Sequence, residues 1–169
     1  MAVLSFACPD ERQALSNFLD QQREGLIRKL DGVSDVDARR TPTVSALSLL
    51  GLIKHSAAWE RRWFQVIVAG RVVPDGWPNG DDAADDERDD TFDLDDEDTV
   101  ESVLADYREQ IAGSREVLAS LDLDARCGRT EIVDTNLRWV AHHMIEETAR
   151  HAGHADIVRE TIDGRRGMY

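Results

Sequence analysis

The sequence lacks the long apolar run that a membrane-spanning helix requires. A bilayer crossing takes about 20 consecutive apolar residues, and no apolar stretch in this chain approaches that length. The beginning, MAVLSFACPDER, has no basic segment and only a short apolar one, which is not typical of a signal peptide. These absences predict a cytoplasmic protein that has no membrane partner.

Cysteine and aromatic residues are scarce as well. Cys8 and Cys127 lie far apart and lack the CxxC spacing of zinc and redox motifs, so no disulfide framework is indicated. Aromatic residues make up 6% of the chain and apolar residues 41%, which predicts a core of mostly aliphatic and small side chains. At 169 residues the chain has room for one such core, and we expect a single domain over residues 1–169.

Positive charge is in deficit, with 20 basic residues against 34 acidic ones and a net charge of −14. Residues 75–98 hold thirteen of the acids and one base, so this stretch carries nearly all of the excess. A local run of acids is usually a solvated segment, whereas phosphate contact requires a basic surface. The charge pattern therefore argues against a nucleic-acid partner and predicts an acidic loop, containing proline and glycine, over residues 71–98.

Helical periodicity accounts for most of the remaining chain. Apolar residues recur at intervals of three and four over residues 9–30, 44–69, 99–121 and 135–163. The second of these patterns contains Gly51, which costs about 1 kcal/mol relative to alanine and suggests a close helix crossing. Without a convincing strand or internal repeat, the sequence predicts an all-α four-helix bundle. The acidic loop is then a long crossover between helices 2 and 3.

Four of the five histidines fall on the fourth predicted helix. One face of that helix carries, at spacings of four, four and three residues, His143, Glu147, His151 and His154. The remaining histidine, His55, lies on the second predicted helix and shares a face with Trp59. Imidazoles and a carboxylate on facing helices are able to hold a divalent ion. The alternative is a set of histidines that only make structural hydrogen bonds in or beside the core.

Three stretches resemble a known family: LSLLGLIKHSAAWERRWF, DYREQIAGSREVLASL and HMIEETARHAGHADIVRETIDG. Together they are similar to the DinB-like superfamily, and within it to an actinobacterial branch, over nearly the whole chain. The resemblance implies a four-helix bundle with a divalent metal between helices. Relatives in that superfamily include the N-terminal domain of mycothiol-dependent maleylpyruvate isomerase and bacterial thiol S-transferases.

The resemblance also implies a ligand set. The metal triad of the superfamily falls on His55, Glu147 and His151, and zinc or nickel is the expected ion. A further group is interpreted as supporting the ligands or lining the pocket, or else as making structural contacts; it consists of His143, His154 and Trp59. No residue is assigned as directly catalytic.

The implied activity is that of a metal-dependent enzyme. It would activate a low-molecular-weight thiol of the mycothiol type for S-transfer or isomerisation of a small-molecule substrate. A non-catalytic metal-binding stress or sensor protein, a metal-dependent hydrolase and a purely structural bundle are the alternatives. The resemblance and the apolar second helix also favour a homodimer.

Overall fold

A computed structural model describes residues 10–72 and 90–167. Its five α-helices are α1 (Glu11–Ile27), α2 (Asp35–Ala38), α3 (Leu49–Glu60), α4 (Val100–Ser120) and α5 (Leu137–Asp163). A 3₁₀ turn (Arg28–Leu30) continues α1, a π-helical segment (Arg61–Val68) continues α3, and a second 3₁₀ turn spans Asp90–Phe92. The described ranges contain no β-strand beyond one isolated bridge, between Arg126 and Asn136. The predicted all-α bundle is confirmed.

Each long helix begins at a polar side chain that caps it. A backbone N–H three residues ahead donates a hydrogen bond to the side chains of Asp10, Ser48, Thr99 and Asn136. The sequence predicts the second helix from residue 44, but α3 begins at Leu49, after the Ser48 cap. Val44 is fully exposed, so no core packing stabilises a helix over those earlier residues. At its C-terminal end, α5 stops at Gly164, whose φ of 74° is a left-handed conformation.

The helices pack in two parallel pairs that run in opposite directions. α1 lies against α5, α3 lies against α4, and α3 also runs along α5. Two apolar clusters fill the interior, one around Leu19, Phe64 and Val140 and the other around Leu50 and Tyr107. Among the helices of the described ranges, none combines the length and the apolar character that crossing a bilayer requires.

A buried ion pair joins α1 to the end of α3. Arg23 Nε and Nη2 donate to the two carboxylate oxygens of Glu60 at 2.7 and 2.6 Å, and Arg23 Nη1 donates to Asp20 Oδ1 at 2.8 Å. Burial and the neighbouring Glu60 carboxylate raise the pKa of the Tyr107 hydroxyl well above its ordinary value. This bidentate pair lies at the end of α3, where the helix gives way to its π-helical continuation.

The chain returns from the predicted acidic loop by anchoring itself on α3. Residues 73–89, most of that loop, lie outside the described residues, as does Cys8. Lys54 Nζ contacts Asp95 Oδ2 and Asp98 Oδ2 at 2.8 Å each. Arg39 Nη2 donates to the backbone carbonyls of the same two aspartates at 2.6 Å. Asp95 and Asp98 are therefore structural anchors and not merely part of a solvated acidic run.

Gly51 makes room for this returning segment rather than for a helix crossing. A Cβ atom added to Gly51 would lie 2.7 Å from the backbone oxygen of Phe92 and 3.0 Å from Ser48 Oγ. The first of these atoms belongs to the backbone, which has little freedom to move aside. A glycine at this position therefore lets the Asp90–Phe92 turn pack directly on α3.

We expect Gly51→Ala to destabilise the protein by about 1–2 kcal/mol, because the clash outweighs the better helix propensity of alanine. Gly153→Ala is the matched control, since a Cβ there meets nothing within 4 Å. The control should stabilise the protein by up to about 1 kcal/mol. Urea unfolding of both variants measures the difference, and an equal gain in stability for the two would contradict the packing argument.

Candidate functional site

A cavity of about 420 Å³ opens between α3 and α5. Its size is in the range of pockets that take small molecules. The side chains around it include His55, Trp59, Trp63, His143, Glu147 and His151. The cavity therefore collects the three predicted metal ligands and two of the three predicted supporting residues.

His55 is held in place by the turn that returns from the acidic loop. Its side chain is buried, and Nδ1 lies 2.7 Å from the hydroxyl of Thr91. The ring of Phe92 stacks on the imidazole, with ring centroids 3.9 Å apart and planes inclined by 9°. A hydrogen bond at one nitrogen of an imidazole orients the ring and is the usual arrangement when the other nitrogen binds a metal.

His151 and Glu147 face His55 from α5. The rings of His55 and His151 meet edge to face, with centroids 4.7 Å apart. Glu147 lies one helical turn before His151, and its Oε2 is 3.8 Å from His151 Nε2. The structure thus brings His55, Glu147 and His151 to one wall of the cavity, although the first two are far apart in sequence.

Glu147 is also engaged on its other side. Arg150 forms an ion pair with Glu147 Oε1 and donates a second hydrogen bond to Glu146 Oε1 at 2.6 Å. Within residues 10–72 and 90–167, no three His, Cys, Asp or Glu side chains stand close enough together to hold an ion as they are. Two imidazoles and a carboxylate nevertheless match the donors that zinc and nickel accept. The chemical types of these side chains therefore suit such an ion, and binding requires the Glu147 carboxylate to turn from Arg150 towards the cavity.

His143 lies farther along the same wall. Its ring meets the indole of Trp63 edge to face at 4.5 Å and stacks on Trp139 at 5.0 Å. Burial lowers the pKa of His143 below its ordinary value, although the nearby carboxylates of Glu147 and Glu146 oppose that effect. The lowered pKa favours the neutral form of the imidazole.

The other two predicted supporting residues take different positions. Trp59 lines the cavity, with its ring 5.6 Å from that of His55 and the guanidinium of Arg62 5.2 Å from its face. His154 packs behind His151 at a ring distance of 6.0 Å and is not among the described residues that line the cavity. A supporting role for His154 stays a prediction.

Trp63, Thr91 and Phe92 belong to the site but are missing from the prediction. Trp63 follows Trp59 by four residues, so the helical spacing could have placed it on the same face. No such signal exists for Thr91 and Phe92, because they come from a segment whose sequence has no regular period. Only the packing of that segment over Gly51 brings them to His55.

Comparison with known proteins adds two findings. A family model described as Mycothiol-S-transferase matches residues 14–164 of the chain. The crystal structure of a conserved protein from Enterococcus faecalis is similar, with a TM-score of 0.66 and 17% sequence identity over 94% of this chain and 100% of that one. At this identity the likeness shows the fold alone. Among curated proteins, none matches the chain.

Proposed function

The chain belongs to the mycothiol-S-transferase family, and on that premise we propose that it joins the sulfur of a mycothiol-type thiol to a small electrophile. The family lies within the DinB-like superfamily, so the resemblance found in the sequence is confirmed. One observation carries the proposal beyond the family: His55, Glu147 and His151 converge on one wall of a ring-lined cavity. A cavity of this kind suits chemistry on a small molecule better than a purely structural role.

We further propose that His55, Glu147 and His151 hold a divalent ion, with zinc or nickel preferred. When bound, such an ion lowers the pKa of thiols near it, so that thiolate is available at neutral pH. The donor types and the oriented imidazole of His55 support this assignment. Arg150 would keep the Glu147 carboxylate in place until the ion takes it over.

Side chains around the cavity would orient the proposed ligands, exclude water and accept the thiol proton. Thr91 and Phe92 orient the His55 imidazole, and the rings of Trp59 and Phe92 exclude water from the space beside it. The neutral imidazole of His143 accepts the proton that the thiol gives up and passes it to solvent. The sulfur then forms a bond to the electrophilic carbon of the second substrate.

The first experiment measures metal and activity in the same preparation. Protein purified without a histidine tag is analysed for zinc and nickel, then incubated with mycothiol and 1-chloro-2,4-dinitrobenzene. In this reaction a carbon–sulfur bond forms, chloride leaves and the thiol proton goes to solvent. We expect a rate well above those of the chelator-treated protein and the protein-free mixture.

The outcomes separate the alternatives. Bound metal with a rate no higher than that of the chelated protein would indicate a non-catalytic metal-binding protein. Turnover without bound metal would refute the proposed metal site but not the proposed transferase activity. The single domain over residues 1–169, the homodimer and the cytoplasmic location stay predictions.

A further inference from the structure

Trp63 carries a hydrogen-bond donor that its surroundings do not satisfy. The indole lines the cavity and is only 7% exposed. Its Nε1 is buried, and no partner for it exists in the part of the chain that the structure describes. Buried N–H groups are nearly always paired, because an unpaired one destabilises the fold. This donor therefore points to an acceptor on a molecule that enters the cavity.

The neighbourhood of this donor is built from rings. The indole of Trp59 lies 6.4 Å from that of Trp63, and the His143 imidazole lies 4.5 Å from it. Flat side chains arranged in this way favour a planar ligand, because ring faces and edges pack well against one another. The surface around the donor thus selects for shape as well as for a hydrogen-bond acceptor.

Position along the helices separates this region from the proposed ligands. α3 and its continuation run along α5, pairing His55 with His151 at one end and Trp63 with His143 at the other. Eight residues separate His55 from Trp63, which corresponds to roughly 12 Å along a helix. The cavity therefore has room for a sulfur at the histidine end and for a second substrate that reaches towards Trp63.

We propose that the Trp63 end of the cavity is the subsite for the electrophile, and that it selects a planar, ring-bearing molecule with an oxygen that accepts a hydrogen bond from Trp63 Nε1. This inference rests on the proposed transferase function and names its second substrate by chemical class. A conjugated aryl ketone is the simplest example.

The hydrogen bond would assist the reaction as well as binding. When a thiol adds to a conjugated ketone, the carbon–sulfur bond forms at the β-carbon and the electron pair moves to the carbonyl oxygen. The thiol proton ends on the α-carbon, and no group leaves. A hydrogen bond from the Trp63 N–H to that oxygen would stabilise the negative charge that develops there.

Binding of an unreactive ketone tests the subsite without any turnover. Calorimetry with 4-phenylbutan-2-one, which has no conjugated double bond, measures the affinity of the whole chain as purified. We expect Trp63→Phe to weaken binding about fivefold, the value of one neutral hydrogen bond. Butan-2-one, which lacks the ring, should bind wild-type protein about thirtyfold more weakly.

Trp139→Phe is the matched control. Trp139 packs against Trp63 and His143 but is 47% exposed and is not among the described residues that line the cavity. Its substitution should leave the affinity for 4-phenylbutan-2-one unchanged. If wild type and a folded Trp63→Phe variant bind 4-phenylbutan-2-one equally well, the proposed hydrogen bond is wrong. If wild type binds the two ketones equally well, the proposed preference for a ring is wrong.

A second measurement needs no substitution at Trp63. Proton NMR of the wild-type protein resolves indole N–H signals, and Trp139→Phe identifies the control signal by its loss. Binding of 4-phenylbutan-2-one should shift an indole signal other than that of Trp139, and an unchanged set of signals at saturation would overturn the proposal. Because neither test uses a thiol, ketone binding without thiol transfer would contradict only the transferase. Transfer to iodoacetamide without ketone binding would contradict only the subsite.

Discussion

Replacing His55 or His151 with alanine is expected to abolish binding of zinc or nickel and, with it, thiol transfer. Each substitution removes one of three proposed protein donors, and the two that remain cannot enclose an ion in a fourfold site. The metal content of the purified variants should fall from about one ion per chain to background. Elemental analysis and the assay with 1-chloro-2,4-dinitrobenzene provide the measurements.

His142→Ala is the control for both variants. His142 lies on the same helix as His151 but is exposed and is not among the described residues that line the cavity. It should keep its metal and its activity, which shows that losing a histidine does not by itself empty the site. Full metal occupancy in either His55→Ala or His151→Ala would refute the proposed ligand set.

Replacing Arg23 with alanine is expected to lower the free energy of unfolding by about 3–5 kcal/mol, because it leaves the Glu60 carboxylate buried and unpaired. The two side chains are 2% and 0% exposed. This bidentate ion pair lies in the interior of the bundle, where water cannot replace the guanidinium as the partner of Glu60. Denaturant unfolding followed by circular dichroism measures the loss, and the midpoint should fall without loss of helix in the absence of denaturant.

Two further variants separate the ion pair from general effects of substitution. Arg115→Ala removes an arginine that pairs with Asp20 on the surface, where its side chain is 54% exposed, and should cost no more than about 1 kcal/mol. The double substitution of Arg23 and Glu60 by methionine should recover most of the lost stability, since neither charge is then stranded. A single Arg23→Ala variant as stable as Arg115→Ala would show that Glu60 finds another partner or is hydrated.

The Glu60 pair also bears on the site. Glu60 is the last residue of α3, between Trp59 and the π-helical segment that carries Trp63. π-helical turns widen a helix and redirect the side chains that follow them, and they are frequent at functional sites. The buried arginine is thus positioned to stabilise the junction that sets two indoles on the cavity wall.

The sequence by itself determined the four long helices and most of their ends, although α3 begins at Leu49 and not at residue 44. Apolar periodicity predicted four long helices because a 3.6-residue repeat that buries one face has few other solutions. The predicted range 135–163 agrees with α5, because the side-chain cap at Asn136 and the left-handed Gly164 that end it act within a few residues. The spacing of Glu147 and His151 is local in the same sense, and a helix alone places them one turn apart.

Only the tertiary structure decided what these residues meet. Periodicity places His55 on a face of α3, but not opposite His151, because the register between two helices depends on how their side chains pack. The same holds for Arg23 and Glu60, which are ordinary surface residue types until two helices enclose them. Thr91 and Phe92 reach His55 only because Gly51 leaves space for their backbone. Local rules therefore predicted half of the candidate site, the part on α5, while long-range packing placed the remainder.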